Sequence, residues 1–234
     1  MKYGSYMFTC IIEDDAILPP YKGSTLRGIF GHALRKVVCA LKKQDCGDCL
    51  LSEKCLYPTV FEIAAIPPKT EGRKRMAQPP HPYVIEPPAD AKTHYQKGDT
   101  LAFLILLFGA ACDNLPYFIY AFDQIGNVGI GRRIHGQRGK FSLHEVQESG
   151  FIIYKKSEGK IQKQPQAQEL LFPSPEAGET ENLVNIELEL VTPLRLKHKN
   201  GLKANLPFDV LISAALRRIS SLFEYYGGGE PKLD

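Results

Sequence analysis

Apolar residues recur at helical spacing between residues 24 and about 41, and this is the clearest element that the sequence predicts. Ser24 and Thr25 are both of a type that caps the start of a helix. The apolar positions share one side of the predicted helix: Leu26, Ile29, Phe30, Ala33, Leu34, Val37, Val38 and Leu41. The other side and its edge carry polar residues, among them His32, Arg35 and Lys36.

Strand patterns surround this helix. Runs of apolar and β-favouring residues predict strands at residues 6–13, 83–86, 100–108 and 140–146. Residues 114–125 predict a second helix, in which Pro116 is tolerated because it falls in the first turn. The order β-α-β-β-α-β indicates an α+β protein with a ferredoxin-like domain, the architecture that RNA-recognition domains also use. The proline-rich and basic residues 66–82 are expected to form an exposed loop.

The pattern changes after about residue 155. Residues 156–182 are polar and predict a linker or insertion, after a further short strand at 150–154. Residues 184–190 alternate between apolar and polar, which is typical of a strand, and residues 207–226 predict an amphipathic helix. We therefore divide the chain into an N-terminal domain (1–155), a linker (156–182) and the start of a second ferredoxin-like domain (183–234). Two elements rarely form a stable unit, so we expect that domain to be truncated here.

Composition and charge narrow the class of protein only modestly. The 234 residues are 44% hydrophobic and 24% charged, which is ordinary for a globular protein. The formal net charge of +3 is too small to indicate nucleic-acid binding by itself. The longest apolar stretch, residues 101–112, is too short to span a membrane, and the N-terminus has no secretory signal pattern. We expect a cytoplasmic protein with no membrane partner.

Four cysteines lie just after the first predicted helix, in a segment (39–55) that we interpret as an insertion. Cys39, Cys46, Cys49 and Cys55 have the spacing C-x6-C-x2-C-x5-C. Four thiolates suit a structural zinc ion and, second, an iron–sulfur cluster. The spacing matches no standard zinc finger, and free thiols are the alternative. Cys10 and Cys112 stand in apolar runs and are expected in the core.

Residues 126–139 combine glycines with positive charge. Glycines allow the backbone to approach a phosphate closely, and cations attract it. The candidates for RNA contact are Arg132, Arg133, His135, Arg138 and Lys140. A solvated turn is the alternative interpretation. A second basic patch, with Arg195 and Lys197, follows the alternating residues 184–190, and a solvated strand end explains it equally well.

Three segments together resemble one protein family. They are Tyr21–Arg35 with Cys39 following, Gly129–Gly131 through Arg138–Phe141, and Val191–Lys197. In this order they are similar to the CRISPR-associated RAMP endoribonucleases that process precursor CRISPR RNA. The resemblance implies tandem ferredoxin-like domains, CRISPR repeat RNA as substrate and cleavage that requires no metal ion. It also implies an RNA-gripping glycine-rich loop near the end of the second domain, and this sequence stops before such a loop.

Metal-independent cleavage uses the 2′-hydroxyl of the RNA as nucleophile and needs a base, an acid and positive charge beside the phosphate. Members of the family often place a histidine on or beside the first helix, with a tyrosine and a lysine nearby. We therefore assign His32 as general acid or base, Tyr21 as the residue that orients it or the nucleophile, and Lys36 as the phosphate-stabilising cation. Arg35 is a further candidate for RNA contact. An ordinary surface histidine is the alternative for His32, and His135 is the rival catalytic candidate.

Two other functions fit the same residues. A non-catalytic RAMP subunit would hold CRISPR RNA within an interference complex, together with other CRISPR-associated proteins. A metal-stapled interaction domain would have no RNA function. Ferredoxin-like folds serve catalytic and non-catalytic roles alike, so the fold does not decide between them. The histidine and lysine of the first helix favour the enzyme, and the basic glycine-rich segment argues against the third alternative.

Overall fold

The structure is a computed structural model that describes residues 1–42, 45–62, 79–162, 166–170, 187–198, 201–202 and 206–229. These ranges hold helices α1 (Gly23–Val38), α2 (Leu115–Gly126) and α3 (Phe208–Tyr226). The strands are β1 (Lys2–Ile12), β2 (Ala16–Ile17), β3 (Tyr83–Glu86), β4 (His94–Tyr95), β5 (Thr100–Phe108), β6 (Ile130–Ile134), β7 (Gln137–Gly139), β8 (Phe141–Glu148), β9 (Phe151–Lys155), β10 (Lys160–Ile161), β11 (Gln168–Glu169), β12 (Lys197–His198) and β13 (Gly201–Leu202). A π-helical turn (Pro58–Glu62) and a 3₁₀ helix (Gly109–Asn114) complete the elements.

The main sheet has the strand order β10-β9-β8-β1-β5-β3, and every pairing in it is antiparallel. The short strand β11 also pairs with the start of β1. Three two-stranded sheets, β2–β4, β6–β7 and β12–β13, lie outside this order. The protein is therefore an α+β protein built on antiparallel sheets, which is compatible with the ferredoxin-like expectation.

One face of the main sheet is covered by α1 and α2. Alternate residues of β1 are buried, as the period of two along a strand requires, and they pack with alternate residues of β5. Phe30 of α1 stacks on Phe118 and Phe122 of α2, at ring-centroid distances of 4.9 Å and 5.4 Å. Phe8 of β1 lies 5.4 Å from Phe122. This aromatic cluster fixes α1 against the sheet and so positions the residues on its outer side.

The opposite face of the sheet carries the C-terminal half of α3. Phe223 packs with Met1 and Phe108, and this cluster is bordered by Tyr3, Val84 and Leu106. The three bordering residues lie on strands in which they alternate with residues that face α1 and α2. Most of the apolar side that the sequence predicts for α3 is not deeply buried, since Val210 and Phe223 are its two buried residues. The prediction of the helix is confirmed, whereas the extent of its buried side is not.

The start of α1 corrects the predicted cap. Lys22 is the N-cap residue and no side chain caps the helix, so Ser24 and Thr25 lie inside the first turn. The side chain of Lys22 is fully buried, and its Nζ donates to the carbonyl of Asp90 at 2.9 Å and pairs with the Asp90 carboxylate at 3.2 Å. This ion pair joins a buried lysine to an aspartate whose side chain is 56% exposed, and it ties the residue before α1 to Asp90. No described side chain takes the place of the expected hydroxyl cap.

Other sequence predictions differ from the structure in part or fall outside the described residues. Residues 130–139 form the β6–β7 hairpin, so most of the segment predicted as a glycine-rich loop is regular structure. Residues 187–190, the described part of the predicted alternating strand, have no regular structure and expose Leu188 and Leu190, because no strand pairs with them there. The expected linker contains β10 and β11. The predicted loop 66–82 falls outside the described residues except for 79–82.

Candidate nucleic-acid interface

His32 lines a cavity between α1 and the β6–β7 hairpin. The cavity has a volume of about 600 Å³, and its walls come from β2, the first three turns of α1 and the hairpin. Its charged lining residues are His32, Arg132 and Arg138. His32 is exposed, in agreement with its predicted place on the outer side of α1. A histidine that lines an open cavity together with two guanidinium groups could act on an anion bound there.

The glycines of the hairpin are explained first by packing. Gly131 has a φ of +84°, and a β-carbon there would collide with the backbone carbonyl of Ile17 in β2. A β-carbon on Gly129 would lie 2.8 Å from the carbonyl oxygens of Arg138 and Gly139. These glycines let the hairpin lie close against β2 and its own partner strand, and that packing carries Arg132 and Arg138 to the cavity.

A second cavity, of about 400 Å³, lies on the hairpin itself. Its lining includes Arg133, Arg138 and Lys140, so Arg138 borders both cavities. His135 lines neither of them: it is exposed in the turn between β6 and β7, with a φ of +48°. The basic residues predicted from this segment therefore divide into two groups that share Arg138.

The other predicted site residues are dispersed. Tyr21 packs over Gly23 and lines the cavity described next, while Lys36 is exposed and lines none of the cavities described here. Arg35 lies 5.6 Å from the ring centroid of Tyr57, on the side of the cysteine-bearing segment. Arg195 is exposed in irregular backbone and Lys197 belongs to β12. The predicted trio of His32, Tyr21 and Lys36 does not meet in one cavity.

A smaller cavity, of about 250 Å³, lies on the other side of the N-terminal turn of α1, beside the edge strand β3. Its polar lining includes Tyr21, Arg27, His81 and Arg218, and Ser24 lines both this cavity and that of His32. Nε2 of His81 lies 2.6 Å from Nη2 of Arg27, and its Nδ1 lies 3.1 Å from the carbonyl oxygen of Val60. Because a carbonyl only accepts, Nδ1 carries the proton and Nε2 accepts from Arg27.

Sequence reasoning missed this second group. His81 stands between two prolines, Arg218 is 137 positions further along the chain, and Arg27 is one of many polar residues on α1. Burial lowers the pKa of His81, and the charges of Arg27 and Arg218 add to that effect, while the hydrogen bond to the Val60 carbonyl opposes it. The ring is therefore held neutral as an acceptor, and no local motif of the sequence indicates this.

Three of the four cysteines line a third cavity, at the C-terminal end of α1. Cys39, Cys49 and Cys55 line this space of about 620 Å³, and all four thiols are partly buried and free. Burial, followed by a hydrogen bond with Glu62, raises the pKa of Cys46 to about 11. Within the part of the chain that the structure describes, no three metal-ligating side chains lie close enough to hold an ion. The donor types fit zinc, whereas their placement is not that of a closed site.

No helix in the described ranges combines the length and apolar character that crossing a bilayer requires.

Comparison with known proteins places the N-terminal part of the chain. Residues 1–166 match the model of the AF_1859_N N-terminal domain. An uncharacterized protein of Archaeoglobus fulgidus is 29% identical over 215 residues, which are 91% of this chain and 66% of that protein, so the chain spans just under two thirds of the relative's length. A chain from the crystal structure of the Csm3–Csm4 subcomplex of the type III-A CRISPR-Cas interference complex is 14% identical with a TM-score of 0.38, covering 68% of this chain and 84% of that chain.

Proposed function

The chain belongs to the family of the AF_1859_N N-terminal domain, and we propose that in this protein the domain binds CRISPR repeat RNA and cleaves it without a metal ion. The observation that carries the proposal is the cavity that His32 lines together with Arg132 and Arg138. Guanidinium groups form bidentate hydrogen bonds with phosphate oxygens, and a histidine beside the phosphate is suited to proton transfer. The three residues come from elements that are a hundred positions apart, yet they line one space.

The strand order supports a ferredoxin-like topology for residues 1–155. In the order β8-β1-β5-β3, α1 connects β1 towards β3, and α2 connects β5 to β8. Both connections pass over the same face of an antiparallel sheet, which is the arrangement of a split βαβ fold. The strands β2, β4, β6 and β7 are additions to this pattern, and β2, β6 and β7 border the His32 cavity.

The proposed reaction is attack by the 2′-hydroxyl of one nucleotide on its own 3′-phosphate. The new P–O bond forms as the bond to the 5′-oxygen of the next nucleotide breaks, which leaves a 2′,3′-cyclic phosphate and a free 5′-hydroxyl. His32 moves a proton, either from the 2′-hydroxyl or to the leaving 5′-oxygen. Arg132 and Arg138 stabilise the negative charge on the phosphate in this proposal, the role that the sequence assigned to Lys36.

A second function, a non-catalytic subunit that holds CRISPR RNA beside other CRISPR-associated proteins, is favoured by a different observation. Among the described residues that line the cavity, His32 is the one ordinary acid–base side chain, and Tyr21 and Lys36 do not line it. Cleavage by 2′-hydroxyl attack needs a proton acceptor and a proton donor. A cavity with only one such group can bind a phosphate without catalysing cleavage.

The two functions are separated by incubating the protein with labelled repeat RNA in the presence of EDTA, with a 2′-deoxy substitution at each candidate position in turn. The nuclease predicts cleavage that survives EDTA, fails at one 2′-deoxy position and is lost in His32→Ala. Salt-sensitive binding with no cleavage of any RNA would favour the non-catalytic subunit. Absence of RNA binding would contradict both.

A further inference from the structure

Among the described residues, the cavity beside β3 is lined by two arginines and by no carboxylate. Its lining residues are Tyr21, Gly23, Ser24, Arg27, His81, Tyr83, Val84, Ile85 and Arg218. Neither Arg27 nor Arg218 forms an ion pair with a described acidic residue. Two guanidinium groups that share a small cavity repel one another, and a bound anion would relieve that repulsion.

Arg27 is held in place by its surroundings rather than by a counter-charge. Its guanidinium carbon lies 5.1 Å from the ring centroid of Phe61 and 5.5 Å from that of Tyr83. Its Nη2 donates to the neutral His81 ring, which is anchored in turn to the Val60 carbonyl. One N–H of the guanidinium is used in this way, so other N–H groups are left to bind a ligand.

Arg218 reaches the same cavity from α3, on the far side of the sheet edge. The hydroxyl of Tyr226 donates to the carbonyl of Pro80, next to His81, and so ties the end of α3 to this edge. Although much of Arg218 is exposed, desolvation lowers the pKa of its guanidinium, and the charge of Arg27 adds to the effect. Both arginines line the same cavity of about 250 Å³, so one small anion could contact both.

The size of the cavity limits what it can hold. At about 250 Å³ it is smaller than the roughly 300–1,000 Å³ of sites that enclose a whole small molecule. It suits a single phosphate group bound by two arginines. Ser24 lines both this cavity and the one that contains His32, so a chain of phosphates could run across the N-terminal turn of α1 from one to the other.

We propose that Arg27 and Arg218 bind one backbone phosphate of the RNA strand that occupies the His32 cavity, with His81 as the residue that positions Arg27. This inference rests on the RNA-binding function proposed above. It adds a second, separate contact that lies outside the hairpin, and it assigns α3 a direct part in holding the RNA.

The test compares Arg218→Gln with Arg217→Gln, a matched loss of charge at the adjacent position. Arg217 is exposed and its Nε donates to the carbonyl of Ser213 at 3.0 Å, away from the cavity. Binding is measured to repeat RNAs that each carry one neutral methylphosphonate linkage. At one position, the neutral linkage should weaken RNA binding by the wild type and by Arg217→Gln about tenfold. Arg218→Gln, which has already lost that phosphate contact, should bind this RNA and the unmodified RNA equally well. Equal losses in all three proteins at every position would overturn the inference and leave the proposed function intact.

A second measurement distinguishes the source of the phosphate. Inorganic phosphate should raise the melting temperature of the wild type and of Arg217→Gln, but not that of Arg218→Gln. If phosphate has this effect but the wild-type protein does not bind RNA, the anion site is supported and its assignment to an RNA phosphate is overturned. If phosphate stabilises all three proteins equally, the site itself is overturned. Arg27→Lys, which keeps the charge and loses the planar fork, should weaken the phosphate effect without abolishing it.

Discussion

The two cavities on either side of the N-terminal turn of α1 differ in how their arginine side chains are supported. In the His32 cavity, Arg132 and Arg138 project from an exposed two-stranded hairpin. In the cavity beside β3, Arg27 lies against aromatic rings and donates to a neutral histidine. The first arrangement can adjust to a substrate during a reaction, whereas the second is already ordered for one ligand. The difference suggests a division between chemistry at the hairpin and fixed positioning at the sheet edge.

Zinc binding by the four cysteines stays a prediction from the sequence, since the structure does not place their thiols as a closed site. Loss of that zinc ion should have the largest effect, because helix α1 lines both cavities and its last residue, Val38, directly precedes Cys39. Cys49→Ser is expected to reduce bound zinc from about one ion per chain to none and to lower the melting temperature by roughly 10 °C, equivalent to a few kcal/mol. Metal content is measured by elemental analysis and stability by thermal unfolding.

Cys112→Ala is the control for the thiol itself. Cys112 is buried in the core, where its sulfur donates to the carbonyl of Leu107 at 3.4 Å, and it is remote from the cysteine-bearing segment in the sequence. This variant should keep its zinc. Wild-type protein that contains no zinc after purification without chelators would contradict the prediction and leave four free thiols at the end of α1.

The next effect should be confined to the His32 cavity. Removing the proposed acid or base by His32→Ala is expected to lower the cleavage rate about 10²- to 10⁴-fold while changing RNA affinity little. Single-turnover cleavage and filter binding measure the two quantities separately. His144→Ala removes an exposed histidine of β8 and should leave both unchanged. Equal loss of cleavage in the two variants would exclude a specific role for His32.

A graded effect is expected among the hairpin arginines. Arg138 borders the His32 cavity and the hairpin cavity, whereas Arg133 borders the hairpin cavity alone. Arg138→Gln should therefore weaken RNA binding about tenfold, and Arg133→Gln by a smaller factor. Only Arg138→Gln should also slow cleavage. RNA-binding titrations over a range of salt concentrations measure how many phosphate contacts each variant has lost. Equal effects of the two variants would indicate that the hairpin attracts RNA by its overall positive charge alone.

The sequence predicted what depends on local patterns. The helix around Phe30, the strand at residues 100–108 and the outward position of His32 follow from the spacing of apolar residues, and all three are confirmed. The ion pair between the buried Lys22 and Asp90 could not be predicted in this way, because its partners are 68 positions apart. The capping prediction was wrong because α1 already begins at Gly23, before Ser24 and Thr25.

The same limit explains the candidate sites. Arg132 and Arg138 stand in a basic, glycine-rich run, so the sequence alone indicates them. The cavity beside β3 takes one arginine from α1, its histidine from two positions before β3, and its other arginine from α3. No window of the sequence contains more than one of its charged groups. Tyr21 was assigned to His32 because it is near in sequence, but its ring turns to the other side of the helix start.

The smallest effect tests the neutral state of His81, on which the ordered cavity depends. Burial and the charges of Arg27 and Arg218 hold the pKa of His81 below its ordinary value of 6.5. In the unfolded chain the ring takes up a proton more readily, so stability is fully present above about pH 6.5 and declines as the pH falls below it. His81→Gln keeps an acceptor for Arg27 but does not titrate, and its stability should decline less over this range. Urea unfolding between pH 5 and pH 8 measures the difference, with His144→Gln as a control that should follow the wild type. Parallel curves for the wild type and His81→Gln would mean that the histidine is not held neutral by folding, and the contrast between an ordered and an adjustable cavity would fail.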